Sequence, residues 1–301
     1  MLENEKILIT GASSQVGLPV ARELSKSNDV HGLGRFGDAK QREQLEEMGV
    51  RCIALDLAKD SFDACPDDFD VVVNFAVVKS GDWDYDLAAN AEGVGRLMSH
   101  CRNARAFLHC SSGAVYAEGA HDARVEGSPY GDNHKVMLPT YSICKIAAET
   151  MARFGARQWN LPTTIARLSV PYGDNGGWPF YHLVMMQNGV EIPVHSEGRN
   201  LYNPIHEDDI IAQLPKLLEV ASVPATVVNW GGSDAVSLED WCVFLGTLTG
   251  LTPKFRSTEE TLQGLALDPT RMHELVGRTD VHWRDGLRRM LEARAPDLIA
   301  D

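Results

Sequence analysis

Short runs that are apolar on both faces alternate along the first half of the chain with stretches whose apolar positions recur every three or four residues. Residues 6–10, KILIT, form the first run and end at Gly11; Val16, Val20 and Leu24 then recur at helical spacing, with Pro19 early enough for a first turn. Residues 29–33 give a second run, after which Asp38 can cap a helix through Gln44 and Leu45 that stops at Gly49. Residues 51–55 open a third cycle. The run 70–76, DVVVNFA, precedes a helical stretch from about 87 to 101 and a strand at 106–110. A long helix over 141–158 leads into another strand at 163–168. Strands covered on both faces belong to parallel sheets, and each parallel pair needs a crossover, most often a helix. The pattern therefore predicts an α/β fold built on a Rossmann-type, doubly wound parallel sheet.

The alternation stops near Gly173. Beyond it Gly, Pro and aromatic residues mix with helical stretches near 209–220 and 237–248. This predicts a Rossmann domain over 1–173, to which segments near 201–232 return, and a smaller C-terminal substrate-binding region made of 174–200 and 233–301. No internal repeat or low-complexity linker interrupts the chain.

With 301 residues and 44% apolar content the chain can bury a substantial core. Its formal charge of −14 repels phosphate backbones and anionic lipid surfaces, and no run of Lys or Arg offers a local exception, so neither nucleic acid nor membrane is expected as a partner. The cysteines Cys52, Cys65, Cys101, Cys110, Cys144 and Cys242 are scattered without CxxC pairs and read as reduced, mostly buried thiols. The opening MLENEKILIT runs straight into a strand, leaving no room for a signal peptide, and no apolar run reaches the roughly 18 residues of a membrane span. A cytoplasmic protein is expected.

The stretch from Thr10 to Gly17, TGASSQVG, follows a strand and opens a helix, where backbone N–H groups and the helix dipole can meet a pyrophosphate. Gly11 permits the tight turn and Gly17 the close packing of helix on sheet, while Ser13, Ser14, Gln15 and Val16 offer their backbone to a cofactor. The central glycine of such loops is missing, since Ser14 or Gln15 stands there; an ordinary strand-to-helix turn is the plain alternative. Where the second strand ends, a carboxylate would accept the ribose hydroxyls of NAD, but here Gly34 is followed by Arg35, which points to NADP unless it is a solvated surface arginine.

Tyr141 and Lys145 stand one helical turn apart on one face. An ammonium near a phenol favours phenolate, so Tyr141 can exchange a proton with an alcohol or carbonyl. Upstream, Ser112 follows a buried strand and can present its hydroxyl to a developing oxyanion, or satisfy its own turn.

These ordered segments resemble the extended short-chain dehydrogenases/reductases, in the NAD-dependent epimerase/dehydratase family, over nearly the whole chain. TGASSQVG resembles the family's TGxxGxxG without its middle glycine; Asp56-Leu57 matches the acidic position near the adenine; NFAVVK, from Asn74 to Lys79, resembles HxAxxK; Asn90 stands where the family has a helix asparagine; SSGAVY matches SSxxVY and YSICK matches YxxxK. The resemblance implies that Tyr141 is the acid or base, that Lys145 binds the nicotinamide ribose and tunes Tyr141, and that Ser112 polarises the substrate oxygen, with Asn90 in the catalytic group. It implies further cofactor contacts from Phe75, Ala76, Lys79, Leu168 and Val170, substrate contacts from Lys79, Gly113, Trp178 and Tyr202, and a homodimer paired through the catalytic helices.

Two positions depart from the nucleotide-sugar enzymes of this family. In RLSVPYG Val170 replaces the asparagine of RxxNxxG, and in YNPIHED Tyr202 replaces an arginine expected to grip a diphosphate, with Arg199 nearby. A buried diphosphate needs charge-assisted donors. A smaller or less anionic hydroxy or keto compound, possible also as a sugar-like one, is therefore the expected partner, with Trp178, Phe180, Tyr181 and His182 as pocket walls or as core. No metal is expected: His206, Glu207, Asp208 and Asp209 are consecutive and cannot converge on one ion, and Asp208 suits a helix N-cap. The leading expectation is an NAD(P)-dependent oxidoreductase that interconverts a secondary alcohol and a ketone. The alternatives are a nucleotide-sugar epimerase or dehydratase that reduces NAD transiently, and a non-catalytic NAD(P)-binding regulator.

Overall fold

The computed structural model describes residues 2–119 and 122–300. The two-faced apolar runs become strands β1 (Lys6–Thr10), β2 (Asp29–Gly34), β3 (Arg51–Ala54), β4 (Val71–Asn74), β5 (Ala106–Ser112) and β6 (Thr163–Leu168). With a seventh strand, Thr226–Trp230, they form one parallel sheet in the order Thr226–Trp230, β6, β5, β4, β1, β2, β3. Ile7, Val71, Val73 and Leu108 point to one face, and Leu8, Val72, Phe107 and Ile165 to the other, so the central strands are buried on both sides, while β3 at the edge stays partly exposed.

Helix α1 (Gly17–Leu24) covers the first face together with the helix Glu207–Glu219, whose Ile210, Leu214 and Leu217 pack on the sheet. Helix α2 (Ala39–Glu47) is capped by Asp38, whose carboxylate accepts from Lys40 N–H at 3.0 Å. On the opposite face lie α3 (Trp83–Leu87), a π-helical turn (Ala88–Glu92), α4 (Gly93–His100) and α5 (Tyr141–Gln158). The first of these begins before the predicted 87 because Asp82 caps it, accepting from Tyr85 N–H at 3.0 Å, and its acidic first turn hides the apolar periodicity.

The connection from β3 to β4 carries the chain to the far side of β1, so a crevice opens between the ends of β1 and β4. Gly11 sits there at φ +66°, and a Cβ on it would come 2.9 Å from Ala76 N. Only glycine meets both demands.

A second core lies above the carboxyl ends of the strands. The helices Trp178–Gln187, Leu238–Thr249 and Trp283–Arg294 gather Leu183, Met186, Trp241, Leu245, Leu287 and Met290. The helix Glu207–Glu219 is capped by His206, whose Nδ1 accepts from Asp208 N–H at 3.2 Å; Asp208, the expected cap, lies inside the first turn. All six cysteines are free thiols, five of them buried. No helix among the described residues is long and apolar enough to cross a membrane.

Near the carboxyl ends of the strands, Arg167 of β6 and Glu149 of α5 form a fully buried ion pair, with Nε to Oε1 and Nη2 to Oε2 both at 2.8 Å. Ser111 Oγ donates to Glu149 Oε1 at 2.6 Å, and Arg167 Nη1 donates to Tyr116 Oη at 2.9 Å and to the Glu126 carbonyl. Burial pushes the Glu149 carboxyl up, but Arg167 and Ser111 outweigh it and hold it below its ordinary range. Removing one partner strands a charge in the core. Arg167→Met is expected to lower stability by about 3–5 kcal/mol, and the double change with Glu149→Leu to recover most of that, as read from urea midpoints.

Candidate active site

A crevice of about 660 Å³ lies over the ends of β1, β2 and β4. Gly11, Ser13 and Ser14 line it from the loop before α1, Gly34, Arg35 and Phe36 from the end of β2, Asp56 and Leu57 from beyond β3, and Phe75 and Ala76 from beyond β4. Ser14 Oγ accepts from Gly17 N–H at 3.0 Å, so a serine begins α1 where the central glycine is absent. Gly17 is not among the described residues that line this crevice; a Cβ there would lie 2.3 Å from the Gly11 carbonyl oxygen, which makes it a packing residue. The crevice's volume, its glycine-lined floor and the N-terminus of α1 fit the adenosine and pyrophosphate of a dinucleotide.

The crevice continues into a second cavity of about 380 Å³, sharing Ser14, Phe75 and Val77 with it and reaching Gln15, Val16, Lys79, Ser112, Tyr141, Lys145, Leu168 and Val170. Ser112, Tyr141 and Lys145 are thus brought to one chamber. Ser112 Oγ accepts from Ala114 N–H at 3.1 Å, which uses a lone pair and leaves its proton free to donate. Tyr141 and Lys145 are presented by consecutive turns of α5. Burial pushes the Tyr141 phenol above its ordinary range, against the pull of the Ser112 hydroxyl and the Lys79 charge. The phenol therefore rests protonated at neutral pH. Lys145 Nζ is buried, donates to the Cys110 carbonyl at 2.8 Å and sits 6.0 Å from the Tyr141 ring centre; desolvation lowers its pKa. Lys79 Nζ lies 5.6 Å from the same ring, so a second cation faces the phenol.

Asn90 is not in this chamber. It lines the first crevice, and its amide is occupied within the fold: Nδ2 donates to the Val78 and Asp86 carbonyls at 2.9 and 2.7 Å, and Oδ1 accepts from Val78 N–H at 2.8 Å. It anchors the loop that carries Lys79. The buried Asp86 does the same from the other side, accepting from Ser80 N–H and Oγ, from Gly81 N–H and from Thr140 Oγ1, the residue before Tyr141. Both anchors position Lys79 and Tyr141 without lining the chamber themselves.

A third cavity, about 320 Å³, opens outward from the chamber. Gly113, Trp178, Tyr181, Tyr202 and Val170 line it, and Lys79 is its one cation among the described lining residues. Phe180 and His182, also considered as walls, point elsewhere: Arg294 stacks over the Phe180 ring at 5.2 Å, and the buried His182 accepts from Trp241 Nε1 at 3.0 Å. Arg199 does not line the cavity, so nothing cationic replaces the arginine lost at Tyr202. Val170 adopts φ +23°, territory that a β-branched side chain resists and asparagine tolerates better. No group of three or more His, Cys, Asp or Glu among the described residues could hold a metal.

Sequence reasoning missed the loop 131–139 and the segment 259–269, which supply Asn133, His134, Met137, Gln263 and Leu265 to this cavity. The His134 ring lies 5.4 Å from that of Tyr141, and burial with the Lys79 charge lowers its pKa to about 4, so it is a neutral imidazole. No periodicity or motif marks these residues.

Beneath the chamber a polar chain crosses three strands. Thr10 Oγ1 accepts from Ala76 N–H and so donates to Asn74 Oδ1, which directs Asn74 Nδ2 to donate to His109 Nδ1 at 3.0 Å. The His109 proton therefore resides on Nε2, which is buried without a partner.

A doubly wound sheet whose switch-point crevice runs into a serine, tyrosine and lysine defines a protein of the extended short-chain dehydrogenase/reductase class. Residues 7–231 match the NAD dependent epimerase/dehydratase family, and the chain belongs to that family. It is similar to a trifunctional UDP-glucose 4,6-dehydratase/UDP-4-keto-6-deoxy-D-glucose 3,5-epimerase/UDP-4-keto-L-rhamnose-reductase of Arabidopsis thaliana, 24% identical over 96% of this chain and 47% of that protein; the chain thus spans about half that relative's length. It is also similar to the low-salt glycan biosynthesis protein Agl12 of Haloferax volcanii, 24% identical over 93% of this chain and 96% of the relative. Among solved structures, the fold matches UDP-glucuronic acid 4-epimerase from Bacillus cereus in complex with UDP-glucuronic acid and NAD, with TM-score 0.81 and 21% identity over 96% of this chain and 98% of the other. UDP-glucose 4-epimerase with UDP-glucose from Thermotoga maritima gives TM-score 0.82 and 19% identity over 97% and 99%.

His109 makes stability depend on pH. Burial, then the Lys145 charge, lowers its pKa to about 3 from an ordinary 6.5. Between those values the unfolded chain binds the extra proton, so this contribution is complete above pH 6.5 and is lost as pH falls toward 3. The loss reaches about 1.4 kcal/mol per pH unit. Urea midpoints between about pH 4.5 and 6.5 should fall with pH in the natural protein and fall less steeply in His109→Gln.

Proposed function

We propose that this protein is a nicotinamide-dependent oxidoreductase that interconverts a secondary alcohol and a ketone on a small hydroxy or keto compound. The observation that carries this reading is the meeting of Ser112, Tyr141 and Lys145 in a chamber continuous with both the dinucleotide-shaped crevice and an aromatic-walled cavity. When bound, the cofactor takes up or supplies the hydride. Ser112 donates its free proton to the substrate oxygen and holds it beside Tyr141. Tyr141, resting protonated, gives its proton to that oxygen as a carbonyl is reduced, and recovers it when the reaction runs the other way. Lys145, fixed by the Cys110 carbonyl, keeps its remaining N–H donors for the cofactor ribose. The inner face of Val170 and the ring of Trp178 set the size and polarity of what enters.

Arg35 at the crevice edge, with no carboxylate at the end of β2, supports NADP over NAD. The exposed Ile143 and Phe154 on α5 support a homodimer paired through that helix. A second reading has support from the relatives, whose names describe epimerisation and dehydration of nucleotide sugars. With Lys79 the one cation among the described residues lining the outer cavity, that cavity weighs against a diphosphate-bearing substrate. Steady absorbance change at the nicotinamide band with added cofactor and carbonyl compounds marks a dehydrogenase; turnover of a nucleotide sugar with no net change marks an epimerase. Tyr141→Phe is expected to lower turnover by about 10²–10⁴ while leaving cofactor affinity within a few-fold, measured by steady-state kinetics and calorimetry; near-normal turnover would remove Tyr141 from the mechanism.

A further inference from the structure

Arg35 does not hang free at the crevice edge. Its Nη1 donates to Tyr85 Oη at 3.1 Å, and Tyr85 Oη lies 2.7 Å from Asp56 Oδ2. The polarity of this chain is fixed by chemistry. An ionised carboxylate only accepts, so the phenol donates to Asp56 and its oxygen is left to accept from arginine, which only donates. Both ends are held. Asp56 Oδ1 accepts from Ala58 N–H at 2.9 Å, and Asp56 N–H donates to Asp60 at 2.8 Å. Tyr85 sits in the first turn of α3, where its own N–H is taken by the Asp82 cap, and Lys59 Nζ lies over its ring at 4.9 Å. Tyr85 itself is not among the residues lining the crevice, whereas Arg35 and Asp56 are.

We propose that Tyr85 is a positioning residue for cofactor choice: by anchoring one edge of the Arg35 guanidinium to Asp56, it holds the other N–H donors ready for the 2′-phosphate of NADP. This rests on the reading of the crevice as a dinucleotide site. A guanidinium carries five N–H donors, and the link to Tyr85 uses one. The guanidinium lines an open crevice, and the end of β2 before it is uncrowded: apart from its chain neighbours, a Cβ on Gly34 would meet nothing nearer than the Phe36 ring at 3.8 Å. An unanchored arginine would give up much of its side-chain freedom on gripping a phosphate, and an anchored one has already lost it. NAD lacks that phosphate and gains nothing from the anchor.

The test is calorimetric titration of the full chain with NAD and with NADP, for the natural protein, Tyr85→Phe, Arg35→Ala and the double variant. Tyr85→Phe should weaken NADP binding about three- to tenfold, the worth of one hydrogen bond, and leave NAD within twofold. In the Arg35→Ala background the same change should have no further effect on NADP. Equal weakening of both cofactors, an unchanged ratio, or tighter NADP binding in Tyr85→Phe would overturn the proposal while leaving the crevice a cofactor site. Failure of the natural protein to bind either cofactor would instead bring down the crevice reading itself, and the proposal with it.

Discussion

The chamber end of this fold depends on one buried charge pair. Arg167 and Glu149 join β6 to α5 at the depth where Ser111 adds its own hydroxyl, so three elements meet in a single polar knot. Each of the chamber's three polar groups is a short step from it: Ser112 is the next residue along β5, Lys145 lies one helical turn before Glu149, and Tyr141 one turn earlier still. An apolar contact of similar volume could stabilise the junction as well, but it would leave the helix freer to slide or rotate. Bidentate geometry fixes α5 in translation and in rotation, which is what a tyrosine and a lysine on successive turns require.

A second set of bonds does for the β4 loop what the ion pair does for α5. Asn90 and Asp86 clamp the segment around Lys79 from two sides, and Thr140, the residue before Tyr141, donates its hydroxyl to the same clamp. The π-helical turn that carries Asn90 is part of the arrangement, since such turns recur where a helix has been reshaped to aim a side chain. Lys79 and Tyr141 are therefore positioned by one connected network. The division of labour between the two lysines follows: Lys145 is anchored to the Cys110 carbonyl, and Lys79 brings a further charge to the phenol.

Much of the first domain was legible in the sequence because a parallel sheet leaves a strong mark. Strands such as β4, inside the predicted run 70–76, and β6 at 163–168 must be apolar on both faces, and α5 was bounded correctly because its apolar positions repeat for several turns. Local chemistry hid the rest. The start of α3 is acidic and capped by Asp82, and the helix at 207 is capped by a histidine, so neither boundary followed from pattern. Tyr202 could be recognised as a departure, but not that its ring packs against Trp178 at 5.0 Å between centres. His134 and Gln263 come from irregular loops, where nothing in the order of residues says which side chains turn inward.

Val170 ties two properties that protein chemists prefer to keep separate. The chain holds an isopropyl group against the preference of its own main chain at a surface that an incoming molecule must touch. Putting asparagine or glycine there would relax the backbone and alter the pocket floor in the same stroke. Efforts to toughen this molecule by drifting toward the residues its kin prefer would arrive early at this position, and thermal robustness gained there would come bound to a changed diet.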